Sequence, residues 1–230
     1  MQAFWASDFW NWELSYLRWT VENAQFPVIN EIFKIYTLLG EMAVIFFIAA
    51  FIMVAFKKTR KTGIVILVGL VFVAGLNHFI LKPIFNRPRP FDFEGSSADA
   101  LALKNHIETF ANDSKLNNFL KPGSKSFMSG HTLSAFIFGF TVAVYHRKWA
   151  IPAIFASALM AYTRLYFGFH YPTDVIFGTL VAVLTTVVLT IVADKHGEKI
   201  AKYFVTLFNK IFKRKEVVEV EENSDVNSPE

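Results

Sequence analysis

The chain has 230 residues, 53% of them hydrophobic, and a formal net charge of +4 at pH 7. It contains no cysteine, which excludes disulfide bonds and thiolate metal sites. The basic residues lie beside long apolar stretches rather than in one continuous patch. This distribution excludes a nucleic-acid surface and is better explained by a membrane topology.

The N-terminal segment, residues 1–35, begins MQAFWASDFWNWELSYLRW. It has neither a basic start nor a continuous apolar core, so it does not have the pattern of a signal peptide. Trp and Tyr side chains favour the boundary between lipid and water. We therefore predict an amphipathic helix that lies at this interface.

Five apolar stretches follow, each of 19 to 21 residues with almost no charge. A helix of about 20 residues spans the ~30 Å hydrocarbon core of a bilayer. The chain is therefore predicted to be an all-α integral membrane bundle with a main domain at residues 36–193. We expect five spans and leave a sixth open. The stretches are residues 36–56, 63–81, 127–145, 149–167 and 174–193.

The loops between these stretches predict the orientation of the chain. Residues 57–61 read KKTRK, residues 146–148 read HRK, and residues 195–215 contain seven Lys or Arg but one Glu. Short cytoplasmic loops are enriched in Lys and Arg, so we place all three in the cytoplasm. The N-terminus, residues 82–126 and the turn around His170 then lie outside.

Two further segments complete the organisation. Residues 96–121 have helical spacing and a Ser start, which predicts one or two short helices over the outer face. Residues 194–230 form a tail that is basic and then acidic. Its last fifteen residues contain six acids, which favours disorder.

Three polar clusters fall at the outer ends of the predicted spans. They read KPIFNRPRP (residues 82–90), SFMSGHT (residues 126–132) and YTRLYFGFHYPTDV (residues 162–175). They include three cations, Lys82, Arg89 and Arg164, without a matching number of acids. Arginine forks and a lysine point charge suit phosphate oxygens, so the clusters predict a phosphate site.

The second and third clusters add groups that could act on such a phosphate. Ser129 is a good helix N-cap, and Gly130 lets an anion approach the free N–H groups of the first turn. Asp174 follows His170 by four residues and could orient its imidazole as a nucleophile. His131 could protonate the leaving oxygen as a general acid.

The three clusters together resemble the three-part motif of the type 2 phosphatidic acid phosphatases, the PAP2 superfamily. That motif reads Lys, six residues, Arg-Pro; then Pro-Ser-Gly-His; then Ser-Arg, five residues, His, three residues, Asp. KPIFNRPRP, MSGHT and TRLYFGFHYPTD match it in spacing. Met128 stands where the family has proline, which bears on the turn, and Thr163 replaces serine but keeps the hydroxyl.

The resemblance implies a function and a role for each matching residue. It implies a lipid phosphate phosphatase that forms a phosphohistidine, uses no metal or other cofactor, and acts on phosphatidic acid, phosphatidylglycerophosphate or a polyprenyl pyrophosphate. A compact chain of this kind is expected in a bacterial plasma membrane, with its site on the extracytoplasmic face. The implied catalytic residues are His170, His131 and Asp174, and the implied phosphate-binding residues are Lys82, Arg89, Ser129, Gly130 and Arg164.

Two alternatives remain at this point: a lipid phosphotransferase that uses the same histidine, and a non-catalytic binder or transporter of lipid phosphates. No nucleic-acid partner is expected, and the oligomeric state is not predicted. Arg87 has no place in the motif and is interpreted as part of a basic patch that contacts lipid headgroups. Asn77 and His78 lie within a span, where polar side chains are expected to face the bundle interior.

Overall fold

The computed structural model describes residues 11–40, 43–92, 98–111 and 125–211, with side chains left undescribed at residues 100, 107–111 and 198–211. Within these ranges the chain is helical and contains no strand. The helices are α1 (Asn11–Asn23), α2 (Pro27–Leu39), α3 (Val44–Ala55), α4 (Arg60–Gly75), α5 (Lys82–Phe85), α6 (Ala98–Ala111), α7 (Gly130–Tyr145), α8 (Ala150–Tyr166) and α9 (Pro172–Ile211).

The predicted spans differ from the observed helices in length and continuity. Two helical runs, Arg60–Asp92 and Pro172–Gly197, are long and apolar enough to cross a membrane. The predicted first span is two helices, α2 and α3, which are bent by 55° across a break that contains the undescribed residues 41 and 42. The pair would make a third crossing if it acts as one span. A count of five or six spans therefore stays a prediction.

Local sequence features explain where several helices begin. Pro27 occupies the first turn of α2, where a missing N–H costs nothing. α7 starts three residues later than the apolar stretch predicts, because Ser129 caps it by accepting a hydrogen bond from the Thr132 N–H at 3.4 Å. Pro172 opens α9. Between α4 and α5 the helix widens into a π-helical segment, Leu76–Leu81.

The apolar core lies between α3, α4, α7 and α8. Ile66 and Leu70 of α4 pack with Leu133 and Ile137 of α7, and all four are buried. α7 and α8 come close at Gly139, where a Cβ atom would lie 2.2 Å from the Ser157 hydroxyl oxygen. The outer surfaces of these helices also expose large apolar side chains, as expected for helices that face lipid.

The N-terminal helix α1 packs on the bundle through one face. Its Leu14, Leu17 and Val21 are buried and contact Leu103 of α6 and Tyr171. The opposite face exposes large aromatic side chains, among them Trp12 and Trp19. The amphipathic character of the whole segment, residues 1–35, stays a prediction, and residues 1–10 lie outside the described part of the chain. Its position at a lipid interface stays a prediction.

The fold divides into two compact units, residues 1–191 and 192–230. In the second unit the structure describes helical backbone as far as Ile211. The predicted acidic tail lies outside the described residues, as does the part of the predicted cover helices beyond residue 111. The predicted domain boundaries at residues 36, 193 and 194 stay predictions.

Candidate active site

The residues of the three polar clusters lie at helix ends. Lys82 begins α5, Arg89 precedes a short 3₁₀ turn at Pro90–Asp92, and Ser129 caps α7. Arg164 is in the last turn of α8, and Asp174 is in the first turn of α9. His170 lies in the connection between those two helices. The ends of α7 and α9 are joined directly, because the Ser129 N–H donates to the Asp174 carbonyl oxygen at 3.4 Å.

His170 and Asp174 face each other within this cluster. The distance between His170 Nδ1 and Asp174 Oδ2 is 3.4 Å, and both side chains are buried. The Ser126 hydroxyl donates to the same carboxylate oxygen and lies 3.3 Å from His170 Nδ1. The Tyr171 N–H also donates to Asp174 Oδ2, at 3.0 Å. The carboxylate therefore favours a proton on Nδ1 and leaves the Nε2 lone pair facing away from it.

The electrostatic surroundings keep this imidazole neutral. Burial lowers the pKa of His170 to about 3; the positive charges of Arg89 and Lys82 lower it further, and Asp174 opposes them. A neutral imidazole with a lone pair on Nε2 is a nucleophile at pH 7. The roles of Lys82 and Arg89 in binding phosphate stay predictions.

Arg89 lies on the side of His170 that is opposite Asp174, and Arg164 lies beside the neighbouring Phe169. Arg89 Nη1 lies 3.5 Å from His170 Nε2 and donates to the Phe169 carbonyl oxygen at 3.0 Å. The Arg164 guanidinium is buried and lies 5.1 Å from the centre of the Phe169 ring. The Arg164 carbonyl oxygen accepts from the N–H groups of Phe169 and His170. These two hydrogen bonds fix the connection that carries His170 against the C-terminal end of α8. A phosphoryl group in front of Nε2 would therefore meet the Arg89 guanidinium.

The N-terminus of α7 supplies a second anion-binding element. Asn77 clamps the preceding peptide: its amide nitrogen donates to the Met128 carbonyl oxygen at 3.0 Å, and its side-chain oxygen accepts from the Met128 N–H at 3.1 Å. A Cβ atom on Gly130 would have one near neighbour, the Asn77 amide nitrogen at 3.9 Å. There is thus little protein beside the Gly130 Cα, and anion binding by the first turn of α7 stays a prediction.

The predictions for Asn77 and His78 have different outcomes. Asn77 is buried, as predicted, and holds the turn that precedes α7. His78 is exposed on the outside of the π-helical segment, so the prediction that it faces the interior is wrong. Adjacent residues of a helix point about 100° apart, so Asn77 and His78 do not face the same side.

The general acid predicted from the sequence, His131, lies in the first turn of α7. Its ring is beside the end of α2, since a Cβ atom on Gly40 would lie 3.0 Å from His131 Cδ2. His131 follows Ser129 by two residues, and the Ser129 N–H donates to the Asp174 carbonyl oxygen. Its role as an acid stays a prediction.

The interpretation of Arg87 as a lipid-facing residue is wrong. Its side chain is 1% exposed and forms ion pairs with Asp174, at 2.9 Å, and with Glu13 of α1. It also donates to the Thr173 hydroxyl at 2.7 Å and stacks on the Tyr171 ring, 3.7 Å from its centre. Sequence reasoning missed this pair because nothing in the aromatic N-terminal segment identifies Glu13 as a partner for an arginine 74 residues away.

Within the described ranges, no group of three or more His, Asp or Glu side chains is placed to hold a metal ion. The positive charges of Arg89 and Lys82 act on His170. Metal independence stays a prediction.

Comparisons with known proteins agree with the motif and the fold. A model of the PAP2 superfamily matches residues 62–198. An undecaprenyl-diphosphatase of Sulfolobus acidocaldarius is 30% identical over 130 residues, which are 56% of this chain and 54% of that protein. The bacitracin transport permease protein BcrC of Bacillus licheniformis is 26% identical over 178 residues, 74% of this chain and 79% of that protein.

A solved structure extends the likeness to the arrangement of helices. The transmembrane PAP2 type phosphatidylglycerolphosphate phosphatase of Bacillus subtilis superimposes with a TM-score of 0.60, over 84% of this chain and 90% of that one. At 20% identity this likeness shows the fold alone. The apolar helices and these relatives support an integral membrane protein. Because the family model covers more than half of the sequence, including all three polar clusters, the chain belongs to the PAP2 superfamily.

Proposed function

We propose that this protein is a membrane lipid phosphatase that hydrolyses a phosphomonoester or pyrophosphate of a lipid through a phosphohistidine at His170. The observation that carries the proposal is the two-sided setting of this imidazole. Its Nδ1 faces the Asp174 carboxylate at 3.4 Å, and its Nε2 faces the Arg89 guanidinium at 3.5 Å. A nucleophile that is oriented on one side and faces cations on the other suits attack on an anionic phosphoryl group.

In the first step, His170 Nε2 forms a bond to phosphorus and the bond from phosphorus to the leaving lipid oxygen breaks. His131 donates a proton to that oxygen, so the lipid leaves as an alcohol, or as a monophosphate from a pyrophosphate. In the second step, water attacks the phosphohistidine and gives its proton to His131. The bond between phosphorus and Nε2 breaks, inorganic phosphate leaves, and both histidines return to their starting state.

The cations stabilise the charge on the transferring phosphoryl group. Lys82, Arg89 and Arg164 would bind its equatorial oxygens, with Ser129 and Gly130 contributing the N-terminus of α7. In many phosphoryl-transfer enzymes Mg²⁺ neutralises this charge. Three fixed cations can supply the same stabilisation without a metal, and this is the basis for proposing metal independence.

The lipid nature of the substrate is supported by the apolar surfaces around the site and by the relatives. Exposed side chains on α2, α3 and α4 are predominantly large and apolar, so an amphiphile could keep its chains in lipid while its phosphate enters the site. The Sulfolobus relative is named for a polyprenyl diphosphate and the Bacillus subtilis structure for phosphatidylglycerolphosphate. We accordingly propose these two classes and phosphatidic acid as candidate substrates.

The orientation of the helices supports an extracytoplasmic site. The basic residues 57–61 precede α4, whereas the site lies beyond its other end, at Lys82. Arg147 and Lys148 follow α7, whereas the site lies at its start. Basic loops and site are therefore at opposite helix ends. With basic loops in the cytoplasm, the site opens on the other face of a plasma membrane.

The test is phosphate release by the purified protein in detergent, with excess EDTA, from phosphatidic acid, phosphatidylglycerophosphate and undecaprenyl pyrophosphate. We expect release by the wild type and by His196→Ala, which removes an exposed histidine of α9, and none by His170→Ala. A radiolabelled substrate should leave acid-labile, base-stable label on the wild type. Release that survives in His170→Ala would contradict the proposal. Label passed to a lipid alcohol would indicate a phosphotransferase, and binding without release would indicate a carrier.

A further inference from the structure

The described part of the chain contains a buried charge network that no motif of the sequence predicts. It connects the N-terminal helix α1 to the carboxylate that faces His170. Glu13 is 0% exposed and Arg87 is 1% exposed. Fully buried charges of this kind are costly and persist only when paired and hydrogen-bonded.

Arg87 holds one oxygen of Asp174 while the other faces His170. Its Nη1 donates to Asp174 Oδ1 at 2.9 Å, whereas Asp174 Oδ2 is the atom at 3.4 Å from His170 Nδ1. A carboxylate held at Oδ1 by a planar guanidinium has little freedom to rotate. The position of Oδ2, and with it the orientation of the imidazole, therefore depends on Arg87.

Glu13 in turn holds Arg87 and the start of α9. Its Oε2 accepts from Arg87 Nη2. Its Oε1 accepts from the Thr173 N–H at 2.9 Å and from the Thr173 hydroxyl at 2.7 Å. Thr173 immediately precedes Asp174 in the first turn of α9, so Glu13 fixes the backbone from which Asp174 projects and caps that helix from another segment.

We propose that Glu13 and Arg87 are positioning residues for phosphoryl transfer, which orient Asp174 and through it the nucleophile His170. The inference rests on the proposed function. It assigns to α1 an indirect part in catalysis, although α1 precedes the region that matches the family model, residues 62–198. Neither residue contacts the phosphoryl group; both act through the Asp174 carboxylate.

The experiment compares kcat and KM of the wild type with those of Glu13→Gln and Arg87→Lys, on the best substrate of the panel. We expect kcat to fall about 10- to 100-fold, as displacement of a reacting group by about 1 Å can cost this much. We expect KM, and the inhibition constant of inorganic phosphate, to change by less than about threefold, because Lys82, Arg89 and Arg164 are untouched. Glu22→Gln is the matched control, since Glu22 lies on the same helix in an exposed ion pair with Arg18.

A double-mutant cycle separates positioning from a purely structural role. Asp174→Asn removes the carboxylate through which both residues act. Adding Glu13→Gln to it should lower kcat by less than about twofold if the inference is correct. Size-exclusion profiles and thermal unfolding in detergent identify the folded variants. The Gln side chain is nearly isosteric with Glu, so Glu13→Gln should fold. If Arg87→Lys does not fold, the comparison with Glu13→Gln alone tests the inference.

The outcomes distinguish this inference from the proposed function. An active wild type whose folded Glu13→Gln variant keeps its kcat would overturn the inference alone. A full additional loss in the double variant would do the same, because it would show that Glu13 acts independently of Asp174. A wild type that releases no phosphate from any lipid of the panel would reject the proposed function, and the positioning role with it.

Discussion

Replacing Asp174 by Asn should abolish most of the activity while leaving substrate binding intact. Asp174 Oδ1 accepts from Arg87 at 2.9 Å, and Oδ2 accepts from the Tyr171 N–H at 3.0 Å and faces His170 Nδ1 at 3.4 Å. An asparagine has one acceptor oxygen, which the Arg87 cation should retain. The amide nitrogen would then face His170 Nδ1 as a donor. The imidazole would have to accept there and move its own proton to Nε2, the atom that should attack phosphorus.

The expected magnitude follows from this change of tautomer. Turning the orienting carboxylate of a histidine into an amide lowers kcat by about 10⁴ in an enzyme with this logic, which is about 5.5 kcal/mol in the barrier. The free energy of unfolding should fall by less than the barrier rises. The Tyr171 N–H would face another donor, at a cost of about 1.5–3 kcal/mol. The KM should change little, because the cations that bind phosphate are unchanged.

The assay is steady-state phosphate release, with rapid-quench measurement of labelled phosphoenzyme and thermal unfolding as a check of folding. Asp99→Asn is the matched control. Asp99 forms a partly exposed ion pair with Arg18 at 3.0 Å, and ion pairs exposed to solvent contribute little to stability. A folded Asp174→Asn protein with kcat within about tenfold of the wild type would refute the tautomer argument. An unchanged kcat with a raised KM would assign Asp174 to binding instead.

Three further predictions concern pH, packing and the membrane interface. Because burial lowers the pKa of His170 to about 3, the unfolded chain binds more protons than the folded one between about pH 3 and 6.5. Stability in detergent should therefore rise with pH across this window, by up to about 1.4 kcal/mol per unit, and His170→Gln should remove that part of the slope. Gly139→Ala should lower the free energy of unfolding by about 1–3 kcal/mol, because its Cβ would lie 2.2 Å from the Ser157 hydroxyl oxygen. Gly75→Ala is the control and should be neutral or stabilising, because its Cβ would have no neighbour within 4 Å. Thermal unfolding compares the two variants, and equal effects would contradict the packing argument. In a variant that keeps Trp19, 60% exposed on α1, as its only tryptophan, fluorescence should be quenched more strongly by lipids brominated near the headgroup than by lipids brominated at the chain end. Equal quenching by the two lipids would contradict an interfacial position.

Much of the candidate site could be predicted from the sequence, because its residues occur in short motifs at helix ends. The four-residue interval between His170 and Asp174 crosses a connection and enters the first turn of α9, and the structure brings the two side chains together at 3.4 Å. The motif also predicted Arg89 at the site, and its Nη1 lies 3.5 Å from His170 Nε2. The helical class followed from the apolar stretches, since a backbone in lipid must satisfy its own hydrogen bonds.

Other features could not be predicted, for reasons that are specific to each. The break between α2 and α3 contains Glu41, the one charged residue of the predicted span at residues 36–56, but a single acid does not by itself predict a bend. Asn77 is buried and His78 is exposed, because adjacent residues of a helix point about 100° apart and packing decides which of them faces inward. Both features depend on tertiary packing, which residue type alone does not specify.

The sequence by itself determined which groups could do chemistry, because nucleophile, orienting carboxylate and cations must be particular residue types at short, fixed separations. The tertiary structure alone decided what supports them. Glu13 and Arg87 are 74 residues apart and meet because α1 packs against α6 and α8, which buries both charges beside Asp174. An unpaired Arg87 charge in the buried site would cost a large free energy of desolvation, so it needs an acidic partner. The helix that covers Arg87, α1, supplies that partner. That choice depends on packing between distant segments, and it appears in no local pattern of residues.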